Sequence, residues 1–200
     1  MSADTRVYEE IEIRRRAKQA LRNQMRAVRA ALPASACDAR SAAITNRLLG
    51  LEELARAQTV LCFASIGNEV RTGTFISAMW DAGKRVVLPR VVEHELELCL
   101  VDGATALVEG AFSVPEPDQK APLLPAEEAD FVLVPALAVD PRGFRIGYGG
   151  GYYDRLLPRL SHACSCAVAY DFQVISEVPE LPFDAAVALV VTDQRVIRAK

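Results

Sequence analysis

The chain has 200 residues, 51% apolar and 24% charged, with a mean hydropathy of +0.13; this fits one compact domain with a sizeable core and disfavours a second full domain. A net charge of −3 gives the whole molecule no field that selects nucleic acid or an anionic membrane. There is no apolar run of about 18 residues and no signal-like apolar stretch in "MSADTRVYEEIEIRRR", so the sequence predicts a soluble, cytoplasmic protein.

From about Val7 to Leu32 the pattern is helical, with Leu21, Met25, Val28 and Leu32 as an apolar stripe that Pro33 ends. Lys18, Arg22, Arg26 and Arg29 form a basic stripe beside it, within a segment free of acids from Ile13 to Cys37. A solvated face accounts for such a stripe as a group, although Lys18 and Arg22 could border a cleft. A second helix follows in "PASACDARSAAITNRLLG", with Ser35 and Asp38 as a capping pair and Gly50 as its stop. "TVLCFAS", Thr59 to Ser65, reads as a buried strand. "TGTFISAMWDAG" reads as a helix capped by Thr72 or Thr74 and closed by Gly83, and "RVVLPRVV" as the next strand.

"ELELCLV" and "DFVLVPALAV" are two further apolar runs, and between them Asp102 to Glu128 is rich in proline and acids, a long surface excursion. A glycine-rich loop then leads into a helix at "YYDRLLPRL". "CSCAVAY" and "AAVALVVT" are two more buried strands, and "TDQRVI" suggests a small terminal hairpin. Strands alternate with helices, and the strand runs are continuously apolar. This predicts an α/β three-layer sandwich with a mostly parallel central sheet and helices on both faces.

Cys37, Cys62, Cys99, Cys164 and Cys166 are odd in number and contain no CxxC pair, so neither a disulfide framework nor a zinc site is expected. His94 and His162 stand outside any triad or metal-ligand spacing and read as surface residues. Chemistry that depends on histidine is disfavoured.

The feature that asks for a function is "RIGYGGGYYDR", Arg145 to Arg155, with glycines at positions 147, 149, 150 and 151. Such a cluster marks close backbone approach or positive φ. It matches neither GxGxxG ahead of a helix in a dinucleotide unit nor GxxxxGK[ST], which leaves a phosphate cradle and a structural turn both open. Asp154 lies in the first turn of the next helix, where it could answer the helix dipole or reach a metal on bound phosphates.

The longer run "DPRGFRIGYGGGYYDRLL" is similar to the signature of the 5-formyltetrahydrofolate cyclo-ligase family. "KQALR" at Lys18 to Arg22, "FASIGNEVRT" at Phe63 to Thr72, "FSVPEP" at Phe112 to Pro117 and "PFDAAVALVVT" at Pro182 to Thr192 extend the resemblance over nearly the whole chain. The resemblance implies ATP- and Mg2+-dependent closure of 5-formyltetrahydrofolate to 5,10-methenyltetrahydrofolate, with ADP and phosphate released. It implies ATP contacts from Lys18, Gln19, Ala20, Leu21 and Arg22, and from Arg145, Ile146, Gly147, Tyr148, Gly149, Gly150, Gly151, Tyr152 and Tyr153. Folate contacts would come from Ala64, Glu69 and the segment Tyr148, Gly149, Gly150, Gly151 and Tyr152, and Mg2+ would be held by Asp154 and Asp184. The chain departs from the pattern at Phe183, where many relatives carry a polar residue, and in residues 1–13, an N-terminal extension. Two other readings remain: a nucleotide- or phosphosugar-binding regulatory domain without catalysis, and a nucleic-acid module built on the basic helix.

Overall fold

A computed structural model describes residues 3–199; Met1 and Ser2 of the N-terminal extension, and Lys200, lie outside it. The chain opens with α1 (Ala3–Ala30), α2 (Ala34–Leu49) and the short α3 (Glu52–Arg56), then β1 (Thr59–Leu61) and α4 (Gly73–Asp81). Strands β2 (Arg85–Val92) and β3 (Glu95–Val101) follow, then a small pair, β4 (Leu107–Glu109) and β5 (Pro115–Pro117), and the central β6 (Phe131–Pro135). A second small pair, β7 (Ala138–Val139) and β8 (Arg145–Ile146), leads into α5 (Tyr152–Leu156), and β9 (Cys164–Val168), β10 (Leu189–Val191) and β11 (Val196–Arg198) complete the chain.

Seven strands form one sheet in the order β11-β10-β9-β6-β1-β2-β3. The inner five pair in parallel, and the edge strands β3 and β11 pair antiparallel to their neighbours. Alternate residues feed two cores. Val60, Phe131, Leu133, Cys166 and Val191 pack against α2 and α4 through Ile44, Leu48, Phe75 and Met79. Leu61, Val132, Val134, Ala167 and Val190 pack on the opposite face against Leu156, Leu157 and Leu160. Burial on both faces is why the strand runs are continuously apolar. The expected three-layer sandwich is therefore the architecture formed.

α1 belongs to neither layer. Its Met25 and Leu21 pack on Leu137, Ala138, Ile146 and Val178, so the helix lies over the β7–β8 pair rather than on the large sheet. This corrects the expected stripe: Val28 is 45% exposed, while Lys18 and Arg29 are turned inward with Met25 at 9% and 8% exposed.

Several local expectations shift. The β1 ladder stops at Leu61 rather than Ser65, because the chain then turns into a segment where the Thr72 hydroxyl donates to the Phe63 carbonyl at 2.6 Å. That bond removes Thr72 as a side-chain cap of α4. Ser35 and Asp38 make no capping box: α2 starts after Pro33 without a side-chain cap, and Asp38 is drawn to Arg71 at 2.5 Å. Gly50 does close α2. The stretch after β3 is less irregular than expected, since β4 and β5 pair within it. The helix after the glycine loop has only five residues, and a 3-10 turn through Pro158 replaces its continuation.

Candidate active site

Three segments converge beside α1: the turn after β1, the glycine loop between β8 and α5, and the stretch from Glu180 to Ala185 ahead of β10. The β7–β8 turn that aims the glycine loop is anchored by Asp140, which is fully buried. Its Oδ1 accepts the Arg142 and Phe144 amides at 2.9 and 3.2 Å, and its Oδ2 accepts the Val178 amide at 2.9 Å and the Arg142 guanidinium at 2.7 Å. Sequence reading missed this residue; "DPRG" signalled only a turn, and nothing local says that the carboxylate also ties down residue 178.

Within the loop, Gly149 (φ +111°) and Gly151 (φ +66°) occupy the left-handed side of backbone space, which explains two of the four glycines. Because α5 is so short, its dipole adds little, and any anion held here depends on loop amides and cations instead. Arg22 supplies one cation. Its Nε donates to the Gly147 carbonyl at 2.9 Å, a second guanidinium nitrogen contacts the Gln19 side chain, and among the described residues no carboxylate pairs with it. Burial, and then the neighbouring Arg26, lower its pKa. Gln19 and Ala20 face outward, and Leu21 packs downward on the β7–β8 core, so of "KQALR" the ends Lys18 and Arg22 are what reach the site.

Arg145 is the second cation. Burial pulls its pKa down, while Asp154 acts in the opposite sense. It donates to Asp154 Oδ1 at 2.9 Å and to the Ala185 carbonyl, and the Ala185 amide donates to the same Asp154 oxygen at 3.2 Å. Asp184, next in the chain, receives the Lys18 ammonium and the Leu181 amide (2.7 Å), both on Oδ2. The two carboxylates thus stand on either side of one residue's backbone, each engaged through one oxygen. Phe183 is 61% exposed and points away, so its departure from the family pattern leaves Asp184 directed inward. One turn before Lys18, Arg14 donates to the Glu180 carbonyl at 2.9 Å and steadies the same stretch from outside.

Glu69 lies at the other end of the cleft, 5% exposed. Its Oε2 accepts the Ile66 amide at 3.0 Å, and its own carbonyl accepts the Tyr170 hydroxyl at 2.9 Å. Ala64 lies half-buried on the same segment. Tyr148 reaches across from the glycine loop to Arg29 and Glu69, and its phenol pKa is pushed up to about 12, first by burial and then by Glu69. Tyr153 sits over the middle. Its hydroxyl is buried without a hydrogen-bond partner, and burial, then Glu69, push its pKa up. Ile146 is fully buried against Met25 and Leu137, so only its backbone is placed toward a ligand.

The cysteines are free, four of them buried, and burial raises the thiol pKa of Cys62, Cys99 and Cys166. They are core residues, and both histidines are exposed. A cation here would find two carboxylates, Asp154 and Asp184, and among the described residues no cluster of three or more His, Cys, Asp or Glu side chains is positioned for a metal. That fits Mg2+, which keeps waters and takes one or two carboxylates plus substrate phosphates.

Residues 14–193 match the 5-formyltetrahydrofolate cyclo-ligase family. The chain belongs to that family. It is 34% identical over 194 residues to the 5-formyltetrahydrofolate cyclo-ligase of Mycolicibacterium smegmatis, covering 92% of this chain and 97% of the relative. Identity to the Escherichia coli K12 cyclo-ligase is 32% over 159 residues, covering 76% and 86% of the two chains. The NMR structure of Aquifex aeolicus 5,10-methenyltetrahydrofolate synthetase superposes with a TM-score of 0.82 at 32% identity, covering 92% and 93%. The Mycoplasma pneumoniae 5,10-methenyltetrahydrofolate synthetase gives 0.72 at 25% identity, covering 88% and 98%. The chain is thus a ligase of one-carbon folate metabolism, and none of its described helices is long and apolar enough to cross a membrane.

Proposed function

We propose that the chain closes the ring of 5-formyltetrahydrofolate to 5,10-methenyltetrahydrofolate, consuming ATP in the presence of Mg2+ and releasing ADP and phosphate. The observation that carries this reading is Arg22, a guanidinium that has no carboxylate partner among the described residues and is held against the glycine loop by the Gly147 carbonyl. A free-standing cation beside flexible backbone amides is suited to phosphate oxygens, which would displace the Gly147 carbonyl from Arg22. On this reading residues 1–200 form one cytoplasmic cyclo-ligase domain, with residues 1–13 as an N-terminal extension.

The formyl group on N5 is amide-like, and its oxygen leaves poorly. Attack of that oxygen on the γ-phosphorus breaks the bond to ADP and turns the oxygen into a phosphate ester. N10 then attacks the formyl carbon and gives up its proton, and the carbon–oxygen bond breaks with release of phosphate as the ring closes. Transfer of this kind requires alignment and charge neutralisation more than a histidine base. Lys18, Arg22 and Arg145 supply positive charge, the loop from Gly147 to Gly151 supplies amides, and Asp154 and Asp184 would hold Mg2+. Bound there, the metal would offset charge on the phosphates. Glu69, with Ala64 beside it, would accept hydrogen bonds from the amino-pyrimidine edge of the pterin, and Tyr148 and Tyr152 would flank the folate.

The test is incubation of the protein with 5-formyltetrahydrofolate, ATP and Mg2+, following the absorbance of the conjugated methenyl product. Product formation that requires both ATP and the metal supports the reading. ATP binding with the folate unchanged favours a regulatory nucleotide-binding domain and overturns it.

A further inference from the structure

We propose that Arg29 is a positioning residue for the folate half of the site, holding Glu69 in place and joining it to the glycine loop through Tyr148. This rests on the folate-facing role proposed for Glu69. The sequence places Arg29 at the end of a basic stripe, two turns beyond Arg22, where a solvated face is the simple expectation. The structure buries it to 8% exposure and sets it between two site segments, the glycine loop through Tyr148 and the turn after β1 through Glu69.

The geometry separates charge compensation from hydrogen bonding. Arg29 Nη2 lies 3.7 Å from Glu69 Oε1, inside ion-pair range and outside hydrogen-bond range. The hydrogen bond from the same nitrogen goes instead to the Tyr148 hydroxyl, and the guanidinium carbon stands 5.5 Å from the Tyr148 ring centroid. Glu69 therefore receives a neighbouring positive charge without a hydrogen bond to Arg29, and the Tyr148 hydroxyl that accepts from Arg29 in turn faces the Glu69 carboxylate. Its Oε2 is fixed separately by the Ile66 amide. A carboxylate this buried, deprived of its cation, would turn away, and that removes an acceptor from the pterin.

The site also holds Arg29 in return. The Asn68 side-chain amide donates to the carbonyls of Arg29, Ala30 and Leu32 at 3.1, 3.3 and 3.0 Å, tying the last turn of α1 to the turn that carries Glu69. A guanidinium recruited only for solubility has no use for such bracing. Arg26, which stands 5.6 Å from the same tyrosine ring, is exposed and supplies the internal comparison.

The experiment compares wild type, Arg29→Ala, Arg29→Lys, Arg26→Ala, Glu69→Gln and the double variant Arg29→Ala/Glu69→Gln. Equilibrium binding of 5-formyltetrahydrofolate without ATP is measured together with KM for folate and for ATP. Arg29→Ala is expected to weaken folate binding and raise the folate KM roughly 10- to 100-fold, with the ATP KM within about threefold. Arg29→Lys should recover part of the loss, Arg26→Ala should sit near wild type, and the double variant should be no worse than Glu69→Gln alone. Should Arg29→Ala fail to fold, the Lys variant and the ratio of the two KM values still decide. Unchanged folate binding, equal damage to both substrates, or additive losses in the double variant would overturn the proposal. If wild type itself binds no 5-formyltetrahydrofolate, the functional reading fails instead, which the wild-type arm shows independently.

Discussion

Replacing Arg22 with alanine isolates the ATP half of the account. In the ligand-free protein Arg22 donates to one backbone carbonyl and contacts one neutral amide, and no carboxylate depends on it. Its guanidinium is partly desolvated and faces the like charge of Arg26, so the resting fold gains little from it. Stability should change by less than about 1 kcal/mol, which for a chain of this size moves Tm by roughly 2–4 °C at most. With ATP bound, the same group would make a charge-assisted contact worth about 1.5–3 kcal/mol, so its loss should raise the ATP KM by roughly one to two decades. The assay is initial-rate formation of the methenyl product across an ATP series at saturating folate, with thermal unfolding of the same samples and Arg26→Ala as comparison. An Arg22→Ala protein that melts more than about 6 °C lower, or that shares its ATP KM with Arg26→Ala, refutes the reasoning.

Lys18→Met leaves Asp184 buried without its cation and should cost about 3–5 kcal/mol, seen in denaturant unfolding; Lys18→Met/Asp184→Asn should recover part of that loss. Asp154→Asn keeps an acceptor for Arg145 but removes the proposed metal ligand, so turnover should fall at least ~100-fold at saturating Mg2+ while the fold persists; near-normal turnover contradicts the metal assignment. Tyr153→Phe deletes an unpaired buried hydroxyl and should raise stability by about 1 kcal/mol, read as a higher Tm; a clear loss of stability would show that the hydroxyl is paired. Chelation of Mg2+ should abolish activity yet leave the Tm of the ligand-free protein unchanged, because Asp154 and Asp184 already have cationic partners.

Much of the fold was legible in the sequence for a specific reason. β1, β6, β9 and β10 are buried on both faces, so each wrote an unbroken apolar run, and the intervening helices wrote the alternation. What stayed hidden depends on tertiary position. β4 lies on the surface with Leu107 and Val108 about half exposed, so its pairing leaves no burial pattern to find. The role of α1 was misread because helical periodicity marks faces without saying what covers them. The stripe containing Lys18, Met25 and Arg29 is buried by the β7–β8 pair and the site loops, so two cations lie inside while Val28 lies outside. The glycine run and Asp154 stood out by residue pattern alone and Asp184 through the family resemblance, whereas Asp140 and Arg29 were missed, one hidden in an ordinary turn signal and the other in a basic helix.

Isotope transfer decides whether the formyl oxygen attacks the γ-phosphate. Substrate carrying heavy oxygen in its formyl group is turned over once with ATP and Mg2+, and the inorganic phosphate is analysed by mass spectrometry. Attack by the formyl oxygen places one labelled oxygen in the phosphate and none from solvent water. Unlabelled phosphate formed alongside methenyl product, or phosphate carrying solvent oxygen, would contradict it.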